Sequence, residues 1–190
     1  MSEGSTVLIV LAGVAALLLL WFVLTYNSLV RLKQYYRDSW SAIDTELRRR
    51  YDLIPNLVEA VKGYAAHERQ VLSLVVEARN KAVASTGSPA SQAKDENVLV
   101  GALRQLLAVS ERYPDLKASG NFLALQRELA NTEDRIQAAR RFYNANVRDL
   151  NTRIGVFPSN IVAGMFKFTP EEFFEIEDSG VRNPPAVKLG

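Results

Sequence analysis

The sequence predicts an all-α protein: one N-terminal transmembrane helix followed by an antiparallel bundle of about four long helices. Three observations carry this prediction. From Val7 to Leu24 the chain holds no charged residue. Beyond it, apolar side chains recur every three to four residues, which places them along one face of successive helices. Those stretches lack the period-two alternation of strands.

The apolar run is long enough to cross a bilayer. At ~1.5 Å per residue it reaches about 27 Å, close to the hydrocarbon thickness of about 30 Å. Trp21 and Tyr26 stand at its C-terminal edge, where amphipathic rings prefer the headgroup level. A buried core helix of this length carries a polar stripe, and this run has none. The preceding residues include Glu3 and no Lys or Arg, and bulky Trp21, Phe22 and Leu24 occupy the place of a small-x-small cleavage site. The segment is therefore expected to remain as an anchor. With no cysteine in the chain, lipidation through a thiol is excluded.

Charge predicts the orientation. Every Lys and Arg follows the run, with Arg31, Lys33 and Arg37 close behind it. The positive-inside rule places the N-terminus outside and the bundle in the cytoplasm. The absence of cysteine agrees with a reducing compartment. The expected organisation is an anchor over residues 1–25, a cytoplasmic bundle over 26–155, and an apolar tail with a frayed end over 156–190. Net charge is +2, with acids and bases interleaved, so no broad field favours nucleic acid.

Four soluble helices are expected, at 27–51, 56–85, 95–112 and 120–154. Leu29, Tyr36, Trp40, Ile43 and Leu47 mark the inner face of the first, with Trp40 expected between helices. Leu57, Val61, Tyr64, Val71, Val75 and Ala78 mark the second. Phe122, Leu125, Leu129, Ile136, Ala139, Tyr143 and Leu150 mark the last, with Thr132 and Asn146 as polar interruptions. Pro55 has no N–H to donate, so it marks a first turn or a kink, and the sequence leaves both open. Thr86–Gln92 reads as a loop, Tyr113-Pro114 ends a helix, and Ser119 and Asn121 are candidate caps.

No reactive constellation is visible. His67 is the single histidine and cysteine is absent, so the ligand set of a zinc site is missing. No nucleophile elbow and no phosphate-binding glycine loop occur. Glu77, Arg79 and Asn80 read as intrahelical polar neighbours. The sequence thus predicts no enzyme activity, no cofactor and no metal. The cluster Arg48–Arg50, flanked by Asp44, Glu46 and Asp52, reads as a solvated helix face, with a lipid or phosphate site as the alternative. Around Pro55, residues Arg49, Arg50, Tyr51, Asp52 and Asn56 form a candidate corner or partner-docking tip. There Asp52 is expected to accept from Asn56 or free amides, and the arginines to pair with Asp52 or Glu59. The tail 156–168 is unusually apolar. Ile161, Val162, Met165 and Phe166 either close the bundle core or form a membrane-surface or partner contact. The membrane version expects the chain to reverse at Pro55, which brings the last helix back towards the bilayer beside Trp21, Tyr26, Arg31, Lys33 and Arg37.

These residues carry a resemblance. YNSLVRLK at Tyr26, Trp40 with Ile43-Asp44, and RRYDLIPNLVEAVKGYAAHE from Arg49 resemble the LemA family. EARNKA from Glu77, the helix from Glu128 to Ile154, the tail VFPSNIVAGMFKF and the aromatic pair Phe173-Phe174 continue it. One position departs: Lys167 stands where the family commonly has glycine. The resemblance implies an inner-membrane protein with an antiparallel cytoplasmic bundle and no catalytic residues. It also implies a place in envelope maintenance, with a membrane protein such as a protease as a candidate partner. The expected function is a self-associating scaffold or adaptor, a homo-oligomer. The alternative is a lipid-acting, membrane-remodelling protein that uses the juxtamembrane bases and the apolar tail.

Overall fold

In the computed structural model, which describes residues 3–176, six helices follow one another and no strand occurs among those residues. They are α1 (Glu3–Lys62), α2 (Arg69–Ala84), α3 (Pro89–Ser110), α4 (Pro114–Ala118), α5 (Gly120–Gly155) and α6 (Ser159–Met165). The all-helical prediction holds. The frayed end expected around Asn183-Pro184-Pro185 lies outside the described residues.

The largest correction concerns Pro55. Instead of separate helices at 27–51 and 56–85, α1 is one helix of 60 residues with Pro55 inside it. A proline at this place leaves the carbonyl four residues earlier without its donor. That carbonyl belongs to Tyr51, and Arg79 of α2 supplies the missing bond, its Nε donating to the Tyr51 oxygen at 2.8 Å. The chain leaves the helix only at residues 63–68, where Gly63 and Ala65 donate to the carbonyls of Glu59 and Val61.

The other boundaries follow from capping. Ser88, in an extended conformation, accepts from the N–H of Ser91, and Pro89 fills the first helical position. Helix α3 therefore starts at Pro89 and not at 95. Pro114 likewise opens the five-residue α4, which the sequence reading lacked. Ser119 caps α5 as expected, accepting from Phe122 N–H at 3.5 Å, while Asn121 lies within the helix.

The chain divides into two compact units. The first combines α1 as far as Ala42 with residues Arg141–Glu171. Its core gathers Leu29, Val162 and Ala163, with Phe22, Tyr26, Ile154 and Phe168 packed around them. A second group stacks Tyr36 and Trp40 on Tyr143, at ring separations of 5.5 and 5.4 Å. Tyr143 is fully buried, whereas Trp40 is only partly covered. Asn146, one of the polar interruptions, donates to the Tyr35 carbonyl. From Val7 to Trp21 every side chain is exposed.

The second unit comprises Ile43–Arg140 and the described residues from Glu172. The seam of α1 supplies Ile43, Leu47, Ile54, Leu57 and Val61, all buried. Leu72, Val75, Ala78 and Ala82 form the inner stripe of α2, which packs along α3. Leu99, Leu106, Leu116, Phe122 and Ile136 complete the core, and Phe174 is fully buried within the same unit. Arg140 ties down the last described residue by donating to the Ile176 carbonyl.

Helix α6 ends in a Schellman motif. Phe168 N–H bonds to the Ala163 carbonyl at 2.9 Å and Lys167 N–H to that of Gly164 at 3.2 Å. This ending requires a left-handed residue, and Lys167 has φ 56°. The position that departs from the resemblance is thus one whose backbone suits glycine. The apolar residue after it, Phe168, packs back onto the helix as such caps require.

Two outcomes are expected. Lys167→Gly should raise stability by up to about 1 kcal/mol, since a β-carbon in this conformation costs about 1–2 kcal/mol and glycine's added chain entropy offsets part of the gain; thermal unfolding reads the change. Arg79→Ala should cost about 1–3 kcal/mol by orphaning the Tyr51 carbonyl. Much of that cost should vanish in a Pro55→Ala background, where residue 55 regains its N–H. A double-mutant cycle in denaturant with no coupling between the two positions would refute this account.

Candidate functional site

The segment expected to form a corner is a buried ionic junction on a continuous helix. Along α1 the seam reads Ile43, Leu47, Arg50, Ile54, Leu57, Val61, so Arg50 occupies a core position and is fully buried. Its guanidinium reaches two other helices. One amino group donates to Glu96 of α3 and the other to Glu133 of α5 at 2.8 Å. Glu96 is also buried and accepts from the Tyr51 hydroxyl through its second oxygen. One carboxylate thereby serves a cation and a phenol from adjacent residues of the same helix. Burial raises the Tyr51 hydroxyl far above its ordinary pKa, and the Glu96 charge adds to the effect. The phenol is therefore held as a donor.

The reading of Arg48–Arg50 as a solvated face needs correcting, because the three arginines do different things. Arg48 is exposed and pairs with Asp44 one turn earlier. Arg49 reaches Glu128 of α5, not Asp52 or Glu59, its Nε lying 3.1 Å away. Arg50 enters the core. Asp52, Pro55 and Asn56 are exposed. The expected capping by Asp52 has no helix start to serve, because α1 continues through it. Arg79, expected beside Asn80, does contact that side chain at 3.3 Å, but its Nε holds the Tyr51 carbonyl. The signal for Arg50 was its heptad position, and for Arg79 the orphaned carbonyl that a mid-helix proline creates.

The same unit contains a groove of about 670 Å³ between the end of α1 and α2. Val58, Leu72 and Val76 give it an apolar floor, and Glu59, Lys62, Arg69 and Glu77 a charged rim. His67 is exposed and does not line it. Across the described residues, no group of three or more His, Cys, Asp or Glu side chains is placed to hold a metal ion. Elsewhere in the unit, Ser85 and Lys81 hold Asp95, and the Ser85 hydrogen bond followed by the Lys81 bond lowers its pKa.

In the first unit the membrane-proximal candidates separate. Lys33 pairs with Glu171 and lies 5.2 Å from the centre of the Tyr36 ring. Arg31 and Arg37 are exposed. Glu171 is further fixed by Asn151, which donates to its carbonyl at 2.9 Å and accepts from its N–H at 2.8 Å. Burial raises the pKa of the neighbouring Tyr36, and a hydrogen bond to Glu171 raises it further. The tail candidates separate onto two sides of one helix. Val162 and Ala163 close the core, while Ile161 and Met165 are 53% and 64% exposed. Phe166 bridges the two, stacking on Tyr26 at 4.5 Å and on Phe22 at 6.0 Å while staying 47% exposed. Trp21 is exposed beside them in sequence.

Arg50→Met should destabilise the bundle by about 3–5 kcal/mol, because it leaves Glu96 buried without a cation. Adding Glu96→Gln should recover most of the loss, since the amide carries no buried charge and its oxygen still accepts from the Tyr51 hydroxyl. Chemical denaturation of the three proteins checks both steps.

Residues 39–189 match the LemA family. Among relatives, magnetosome protein MamQ 2 of Paramagnetospirillum magneticum is 28% identical over 92% of this chain and 72% of its own length. Protein LemA of Metamycoplasma hominis is 28% identical over 83% of this chain and 75% of its own. Magnetosome protein MamQ of Magnetospirillum gryphiswaldense is 25% identical over 88% and 72%. The family match covers Trp40, the arginine junction, Pro55, Arg79 and the capped tail helix, which are the features that build both units. The chain is a membrane-anchored helical protein of the LemA family.

Proposed function

We propose that this protein is a non-enzymatic scaffold of the bacterial inner membrane, with its N-terminus outside and its bundle in the cytoplasm. In this reading the bundle associates with further copies of itself or docks a second membrane-associated protein in envelope maintenance. The observation that carries the proposal is the groove between α1 and α2. Its apolar floor and alternating charged rim suit the apolar stripe of another helix, as in helix-in-groove recognition. Val76 reaches into the groove and is 40% exposed, and Val83, one heptad further along α2, is 51% exposed.

The use made of the buried charges supports the non-enzymatic side. Arg50, Glu96, Glu133 and Tyr51 are engaged with one another and hold three helices together. Positive charge after the apolar run, at Arg31 and Arg37, supports the orientation.

The test is the mass of the full chain in native, detergent-free membrane patches. A discrete multiple of the 21.2 kDa chain, or a second protein in fixed ratio, is the expected result. Val76→Glu should dissolve that assembly. A bare monomer across a range of expression levels would refute the scaffold.

A further inference from the structure

We infer that α6 is a lipid-contacting helix whose exposed face, Ile161 and Met165 with Phe166, seats in the interface of the bilayer that α1 crosses. The inference rests on the reading of Val7–Leu24 as a membrane span.

Register places the helix. α6 and the turn after it pack against Phe22, Tyr26 and Leu29 of α1. At ~1.5 Å per residue, Leu29 lies only about 8 Å beyond Leu24, where the apolar run ends. The contacts therefore hold α6 at the level where hydrocarbon gives way to headgroups. Phe166 makes the connection physical, since its ring stacks on both Phe22 and Tyr26. The exposed apolar surface of α6 is thus continuous with the exposed side chains of the span itself.

The composition of the helix suits this level. Seven residues place Val162 and Ala163 inward and leave Ile161 and Met165, one turn apart, outward. Phe157, just before the helix, is 78% exposed. In water, outward apolar side chains on and immediately after one small helix form the kind of patch that marks a contact surface. At a bilayer surface the same patch is buried in the acyl boundary, as in interfacial amphipathic helices. Lys167 follows Phe166 and is exposed, a cation at headgroup level. The Schellman cap fixes this arrangement by turning the chain away after Phe166, so that Phe168 returns to the protein core.

Because the chain has no cysteine, single cysteines can be introduced by one substitution each. Nitroxide labels on Leu17→Cys, Ile161→Cys, Met165→Cys and Arg37→Cys would be compared in the full chain. The protein would be reconstituted in vesicles of phosphatidylethanolamine with a minority of phosphatidylglycerol. The readout is relaxation by oxygen, which concentrates in lipid, against relaxation by a water-soluble nickel chelate. The inference expects the labels at 161 and 165 to favour oxygen several-fold relative to the label at 37, and to approach the value at 17. Labels at 161 and 165 that match position 37 while position 17 reports lipid would overturn the inference and leave the anchor intact. A water-exposed label at 17 would remove the anchor reading, and the inference with it. Spin–spin broadening at 161 that disappears on dilution with unlabelled protein would show that a second copy covers the face, which also overturns the inference.

Discussion

A guanidinium buried among helices dictates much of the second unit. Placing Arg50 in the seam of α1 removes a charge from water, and the chain must then bring partners to it. Glu96 of α3 and Glu133 of α5 answer that demand from two directions, and Tyr51 takes the acceptor that Arg50 leaves free. A leucine at the same position would tolerate neighbouring helices at several registers. An arginine tolerates only those registers that deliver a carboxylate to each end of its fork. The interaction's contribution is then to alignment more than to net stability, and the apolar seam on either side, Leu47 and Ile54, supplies the burial.

Backbone accounting explains the remaining features that distinguish this chain from a generic bundle. Pro55 withholds a donor, and Arg79 replaces it from another helix, so the break in one helix specifies the position of its neighbour. The end of α6 leaves carbonyls that its own turn recovers through Lys167 and Phe168. Asn151 satisfies both backbone groups of Glu171, where no helix is present to do so. In each case a polar backbone group without a regular partner is satisfied by one particular side chain or turn, and geometry becomes specific there.

The class of fold was legible because periodicity and length are local properties. An uninterrupted apolar run and repeated three-to-four spacing define helices whatever they pack against. The start of α5 was legible for the same reason, since Ser119 caps it within four residues. Pro55 was not, because whether a proline ends a helix depends on a donor 24 residues further along the chain, Arg79, that periodicity does not reveal. The arginines misled for a related reason. Three in a row read as solvent-facing, although a strict count from Ile43 and Leu47 puts Arg50 alone on the inner face. In the tail, composition showed an apolar segment, but only the register of α6 against Leu29 separates the inward Val162 from the outward Ile161.

The apolar stretch of α1 stays exposed as far as Trp21, and Phe22 is its first side chain packed against the core of the first unit. Its side chains are therefore answerable to solvent chemistry alone: they must be apolar and numerous enough, and their order is immaterial. From Phe22 onward each residue on the inner side has a particular neighbour, beginning with Phe166. Genetic drift meets a sharp boundary at that point. On one side almost any apolar substitution is interchangeable, and on the other a change of shape at Phe22, Tyr26 or Leu29 must be matched by a change in the tail helix more than a hundred residues away.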